Sequence, residues 1–320
     1  MALFLKEEEV IELLPMAECV DVLERAFSYL AEGLGDNVPR SRIRLPGGFL
    51  HFMAAASVGP DLSGFGYKAY STFPGGASKF LMMLYDAESG ALISVMEASA
   101  LGQIRTGAAS GLATRYMARP DASTVGVIGT GYQARTQLEA VCAVRSIKHV
   151  RAYSRTLERR EAFATRMSHR LNTEVVPSAS AEECVRGADI AITITPSREP
   201  VLKGEWLEGG EHVNAAGGNH WMRREIDGEV VERADLIIVD DVEQAKIECG
   251  DLIWPAERGV FRWNMSHELK EVVSGRINGR PDNGCITLFE SQGIAIEDVA
   301  AALHVYHKAR ERGIGQELPF

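Results

Sequence analysis

Apolar residues recur at helical spacing near the start of this chain and then give way to short β-branched and aromatic runs. Residues 7–14 and 16–31 predict two helices, the second with Val20, Leu23, Phe27 and Leu30 on one face. Gly33, Gly35 and Pro39 close that segment. Residues 41–45, 49–54, 66–73 and 80–85 then predict strands separated by Gly- and Pro-rich turns. Asp86-Ala87-Glu88-Ser89-Gly90 reads as a hairpin turn, with residues 92–96 returning from it. The first third is therefore expected to be an α+β unit with a meandering sheet.

Residues 97–118 predict a helix dominated by small side chains, Thr106-Gly107-Ala108-Ala109-Ser110-Gly111, with Arg105 at its centre. Leu101, Ile104, Ala108 and Leu112 lie near the face of that arginine. A long cation among small residues is either a solvated surface arginine or a buried anion clamp, and the small neighbours favour the clamp. Arg119-Pro120-Asp121 reads as a hinge. Beyond it the period alternates regularly. Strands are expected at 123–128, 149–154, 173–176, 189–195, 212–216 and 236–240, with helices at 135–144, 161–171 and 181–186 between them. That alternation predicts a doubly wound α/β sheet. A helix at 242–249 ended by Gly250-Asp251, a short helix at 268–273, a strand at 285–289 and a closing helix at 296–313 complete the chain.

The turn after the first strand of the alternating region carries the chemistry. Gly129-Thr130-Gly131-Tyr132-Gln133-Ala134 follows a β-branched run and opens a helix. Gly129 permits the tight turn, Gly131 lets the backbone approach a pyrophosphate, and Ala134 keeps helix and strand close. The free N–H groups of a helix N-terminus attract phosphate there. The pattern predicts a dinucleotide cofactor. The second strand ends in Ser154-Arg155-Thr156, with Arg159 and Arg160 one turn on, where an acidic residue usually holds the adenine ribose. An acid would repel a 2′-phosphate, whereas these side chains bind one, so NADP(H) is expected over NAD(H), with NAD(H) still admitted. Thr193 and Thr195 stand at a strand's carboxyl end, where open α/β sheets bind ligands.

With 46% hydrophobic and 24% charged residues, the 320-residue chain reads as a soluble globular protein of two domains. A net charge of −10 argues against a broad nucleic-acid surface. Residues 1–10 carry Glu7, Glu8 and Glu9 and no signal-peptide core, and no apolar run reaches the ~18–20 residues of a membrane span. Five scattered cysteines without a C-x-x-C fit a reducing cytoplasm and no structural zinc. His304 and His307 share a helix face, but no carboxylate is arranged to complete a metal site.

Several separated motifs, in order, resemble the ornithine cyclodeaminase/μ-crystallin family over essentially the full length. They are Gly66-Tyr67-Lys68-Ala69, Arg105-Thr106-Gly107-Ala108-Ala109-Ser110, the Gly129–Ala134 turn, Gly204-Glu205-Trp206, His212-Val213-Asn214-Ala215-Ala216-Gly217, and the run from Phe289-Glu290-Ser291-Gln292-Gly293 to Ile294-Ala295-Ile296-Glu297-Asp298. The resemblance implies a Rossmann nucleotide domain at 119–292, inserted in an α+β substrate-binding and dimerisation domain built from 1–118 and 293–320. It implies homodimers that pair their N-terminal sheets. It places Lys68 and Arg105 in the substrate pocket, Arg105 clamping a carboxylate and Lys68 contacting it or exchanging a proton with the nitrogen. Arg42 is expected to join them in preference to Arg40 or Arg44, with Met53, Gln292 and Gly293 also at the substrate. Ala216, Gly217 and Ser291 join the cofactor contacts. True ornithine cyclodeaminases carry an aspartate where this chain has Asn219, and asparagine cannot act as a carboxylate base. The expected activity is therefore reduction of a C=N bond beside a carboxylate, as in ketimine reductases and amino-acid dehydrogenases. The alternatives are ornithine cyclodeamination and non-catalytic binding of NADPH and a small ligand.

Overall fold

The computed structural model describes residues 1–76 and 78–319. In chain order the first elements are β1 (Ala2–Leu5), α1 (Glu7–Leu13), α2 (Met16–Ala31), β2 (Gly35–Leu45), β3 (Gly48–Gly59), β4 (Leu62–Thr72), β5 (Phe80–Tyr85), β6 (Leu92–Glu97) and α3 (Ser99–Met117). The alternating region follows with β7 (Thr124–Ile128), α4 (Ala134–Val144), β8 (His149–Tyr153), α5 (Leu157–Leu171), β9 (Glu174–Pro177), α6 (Ala181–Val185), β10 (Ile190–Thr193) and β11 (His212–Ala215). It continues with α7 (Gly228–Arg233), β12 (Leu236–Val239), α8 (Val242–Glu248), α9 (Gly250–Glu257), β13 (Ser266–Glu268), α10 (Leu269–Val273) and β14 (Thr287–Glu290). The chain closes with α11 (Ala295–Arg312) and β15 (Gln316–Leu318).

Two compact units result, Met1–Arg105 with Ile294–Phe320, and Thr106–Gly293. The first change of unit falls inside α3, a little before the 119–121 hinge read from the sequence. In the first unit seven strands run in the order β15-β1-β6-β5-β4-β3-β2. β1 and β15 are absent from the predicted elements. Four and three residues are too few to show a period, and they become strands only by pairing, β1 parallel to β6 and antiparallel to β15.

The hairpin strands β2, β3 and β4 are also longer than predicted, because small residues that read as breaks are close-approach points. A Cβ on Gly64, ahead of the predicted strand, would stand 2.7 Å from Leu303 Cδ2 and 3.0 Å from the carbonyl oxygen of Tyr85. Helix α11 packs on β4, β3 and β2. Helix α3 begins where the Glu7 carboxylate accepts the N–H groups of Ser99 and Ala100, at 2.8 and 2.7 Å.

In the second unit eight parallel strands lie in the order β13-β12-β14-β11-β10-β7-β8-β9. Helices cover both faces. Val125, Val127, Ile190 and Ile192 pack with Leu138 and Phe163 on one side, while Ile128, Ala191 and Val213 pack with Val230 and Leu252 on the other. The doubly wound expectation holds, and the sheet extends past residue 240 to β13 and β14. Strand order reverses at β7, with β8 on one side and β10 on the other, so the turn after β7 sits at the switch point. The helix expected to stop before Gly250-Asp251 does so, at Glu248, but Gly250 also opens a further helix, α9. The backbone at Cys249 (φ −77°, ψ 89°) breaks α8 from α9, and Asp251 occupies the new helix's first turn. No helix of the described residues is long and apolar enough to cross a membrane.

Candidate active site

Strand alternation and helix spacing bring an ionic cluster together in the first unit. Met53 of β3 lies opposite Lys68 of β4, and both side chains are buried. Lys68 Nζ donates to both carboxylate oxygens of Asp298 on α11, at 2.7 Å each. Arg105 donates from Nε to Asp298 Oδ1 at 2.8 Å and from Nη1 to Glu297 Oε2 at 2.6 Å. Lys68 and Arg105 are 2% and 4% exposed, so the pairing takes place away from bulk water and is only weakly screened. Asp298 and Glu297 end the motif that runs from Phe289, and the sequence alone gives them no place in the site. Their only signal is two adjacent acids in the first turn of a helix whose next five residues, Val299 to Leu303, are all apolar.

The arginine that joins this cluster is Arg40, not Arg42. The β2–β3 register shifts between Val38 and Ser41, and the bulge turns Arg40 inward, where its Nε lies 3.3 Å from Met53 Sδ. Arg42 lies opposite His51, which stacks on Tyr70 at 4.5 Å, one row along the same sheets of strands. Met53, expected to wall the pocket, is 1% exposed and sits beneath Arg40.

Lys68 and Arg105 thus face two carboxyls, and Arg40 stands near enough to act on the Lys68 ammonium. Burial, and then the adjacent Arg105, pull the Lys68 ammonium down to about 7 against the upward pull of Asp298. Burial pushes the Glu297 carboxyl up to about 7, with Arg105 opposing. Burial would raise Asp298 as well, but Arg105 and Lys68 outweigh it and hold that carboxyl below its usual range. The cluster therefore keeps a surplus of positive charge and holds an ammonium that titrates near neutrality.

In the second unit the glycine turn lies where the motif put it. Gly129 has φ +114°, and a Cβ there would stand 2.3 Å from the Ile194 carbonyl oxygen, whereas nothing lies within 4 Å of a Cβ on Gly131. Thr130 donates its hydroxyl to Ser154 Oγ at 2.8 Å, tying the turn to the end of β8. Tyr132, Arg155 and Thr156 are exposed, and Gln133 precedes the first residue of α4, Ala134. Arg160 stacks over Tyr153 at 5.4 Å and donates to the Ser154 carbonyl at 3.3 Å, so a second guanidinium stands beside Ser154. Ser291, just after β14, has a buried hydroxyl with no hydrogen-bond partner among the described residues. An open glycine backbone, an unpartnered buried hydroxyl and a basic strand end fit a dinucleotide.

The other expected contacts are held by carboxylates. Glu225 accepts the N–H of Thr195, the N–H of Gly217 at 2.6 Å and the hydroxyl of Thr193 at 3.2 Å. Thr193 is fully buried and its hydroxyl faces Glu225, while Ala216 donates its N–H to the Thr193 carbonyl. Asp240 accepts the N–H groups of Gln292 and Gly293 at 2.8 and 2.6 Å. Asn219 lies in the loop after β11, and its Oδ1 accepts from Arg223 Nη1 at 3.2 Å. Among the described residues no group of three or more His, Cys, Asp or Glu could hold a metal ion; His304 pairs with Glu18 instead.

A parallel sheet with a dinucleotide turn at its switch point, and a separate α+β unit carrying a buried cationic cluster, define a nicotinamide-cofactor class of enzyme fold. The ornithine cyclodeaminase/mu-crystallin family model matches residues 1–313, and the chain belongs to that family. The alanine dehydrogenase of Archaeoglobus fulgidus is 36% identical over 326 residues, covering 99% of this chain and 98% of the relative. The structure of the Thermococcus litoralis Delta(1)-pyrroline-2-carboxylate reductase in complex with NADH and L-proline superposes with a TM-score of 0.93 at 37% identity, covering 99% of this chain and 100% of that one. An archaeal alanine dehydrogenase dimer with bound NAD matches with a TM-score of 0.93 at 36% identity, covering 100% of this chain and 99% of that one. All three are oxidoreductases.

Proposed function

We propose that this chain is an NAD(P)H-dependent oxidoreductase that reduces a C=N bond beside a carboxylate, with amino-acid dehydrogenation as the reverse reaction. In this reading residues 119–292 bind the cofactor, and residues 1–118 with 293–320 bind substrate and form a homodimer. The bound nicotinamide supplies the hydride. The protein's own residues supply charge, position and one proton. Arg105 and Arg40 hold the carboxylate of a small imino acid, and Lys68 Nζ gives a proton to its nitrogen as the carbon receives hydride. The observation that carries this reading is the buried Lys68–Asp298–Arg105 cluster, which joins a cation surplus to an ammonium that titrates near neutrality. Asn219 offers no carboxylate for the proton transfers of cyclodeamination. The half-exposed apolar residues Val38, Phe52, Phe65, Tyr67 and Leu81 on adjoining strands support the pairing of two copies.

The test is an assay with a cyclic imino acid. Net consumption of NAD(P)H is expected, while ammonia release from ornithine without net cofactor change would overturn the reading. The protonated Lys68 is the donor, so kcat/KM for reduction should be full below about pH 7 and fall as pH rises through it. The oxidative direction needs the neutral amine and should rise over the same interval. A pH-independent reductive rate between pH 6 and pH 9 would remove Lys68 from the proton transfer.

NADP(H) is the preferred cofactor in this reading, supported by Arg155 and Arg160 flanking Ser154. Arg155→Ala should weaken NADPH by about ten- to a hundredfold and leave NADH nearly unchanged, because only the 2′-phosphate meets the guanidinium. Titration of the unmodified protein showing equal or tighter NADH binding would refute the preference.

A further inference from the structure

We propose that Glu225 is a positioning residue for the cofactor: its carboxylate clips the turn after β10 to the turn after β11. This deepens the proposed function and rests on the cofactor lying along the carboxyl ends of these strands.

The two turns leave neighbouring parallel strands in register, Thr193 beside Ala215. Beyond those residues the strand ladder no longer dictates how the chains diverge. Glu225, fully buried, spans the gap. Its Oε1 accepts the Thr195 N–H, and its Oε2 accepts the Gly217 N–H and the Thr193 hydroxyl. With two oxygens and about four lone-pair sites, a carboxylate can take all three of these donors at once. Its own backbone is anchored in turn, since the N–H groups of Glu225 and Ile226 both donate to Asp251 Oδ1, at 2.7 and 3.0 Å. Asp251 belongs to the first turn of α9. A rigid helix thus holds one carboxylate, which holds the backbone of a second, which holds the two turns. These turns carry Thr195, Ala216 and Gly217, and the second leads directly into Asn219. Burying ionisable groups is costly, and here they stand where backbone N–H groups of two turns would otherwise lie unpaired in the interior.

The same strand provides its own control. At the amino end of β11, buried Glu211 also uses both oxygens on backbone, accepting from Glu208 and Gly209 at 2.6 and 2.7 Å. Replacing either glutamate with glutamine leaves one oxygen where two served, for three donors at Glu225 and two at Glu211. Glu211→Gln should therefore match Glu225→Gln in its effect on thermal unfolding but not on the cofactor.

The experiment titrates NADH and NADPH into the full-length protein and both variants by cofactor fluorescence, with steady-state kinetics alongside. In Glu225→Gln the dissociation constant and cofactor KM should rise by about tenfold or more, with kcat at saturating cofactor within about twofold. Glu211→Gln should bind cofactor within about twofold of the unmodified protein. Unchanged affinity in Glu225→Gln, or equal weakening in both variants, overturns the clip. If the unmodified protein binds neither cofactor, the functional reading fails and the clip falls with it, which is a different result. Should Glu225→Gln not fold, amide hydrogen exchange of the unmodified protein decides. The N–H groups of Thr195 and Gly217 should exchange as slowly as those of β10 and β11, and fast exchange at either sinks the proposal.

Discussion

Arg105→Lys is expected to lower kcat/KM for carboxylated substrates by about a hundred- to ten-thousandfold while leaving cofactor affinity unchanged. The substitution keeps the charge and removes the fork. Arg105 uses Nε on Asp298 and Nη1 on Glu297 while buried at the cationic end of the cluster. A lysine reaches one of these partners with a single ammonium and cannot present a planar pair of donors to a carboxylate. Loss of two charge-assisted bonds, at about 1.5–3 kcal/mol each, sets the magnitude. Steady-state kinetics and a cofactor titration on the same preparation check it. Turnover within about threefold of the unmodified enzyme would make Arg105 a purely structural cation.

Asp298→Asn should produce the largest loss of stability, about 3–5 kcal/mol, read as a fall in the unfolding midpoint on the order of 10 °C. The carboxylate serves Lys68 through both oxygens and Arg105 through one, so the amide turns a donor toward one of two buried cations. The pH profile should move as well. Asp298 raises the Lys68 ammonium through both its charge and its hydrogen bond. Without it the ammonium falls further below about 7, and the reductive limb should shift to lower pH in any Asn variant that still folds. A limb that stays in place, or moves up, would show that the titrating group is not Lys68. A midpoint within about 2 °C of the unmodified protein would show that the two cations do not depend on this carboxylate.

Much of the chain was legible because its determinants are local. The glycine turn after β7 depends on backbone space at Gly129 and Gly131, a property of those residues wherever they occur. The alternating region declares itself through period, since strands buried on both faces must be continuously apolar and their crossover helices amphipathic. Arg105 stands out by its small neighbours, and Lys68 only by the motif that carries the family resemblance. The missed strands share one cause: β1, β13 and β15 have three or four residues each and gain their identity only from a partner strand. Helix α8 stops before Gly250 as expected, but α9 was missed, because a glycine can equally open a helix when the residue before it leaves helical geometry.

By itself the sequence determined the two kinds of unit, the dinucleotide turn and the basic strand end at Ser154-Arg155-Thr156 through steric and periodic preferences within a few residues; Arg105 was marked by its small neighbours, and Lys68 by the family resemblance alone. The tertiary structure decided the electrostatics. Asp298 meets Lys68 across 230 residues of chain, and Glu225 meets Thr195 across 30. Arg40 and Arg42 share the inward face of β2, and only the β2–β3 register places Arg40 in the row of Met53 and Lys68 and Arg42 in the row of His51. Charge pairing falls off with distance in space and is indifferent to distance along the chain, so the ammonium near neutrality and the clipped turns exist only once the strands and α11 are packed.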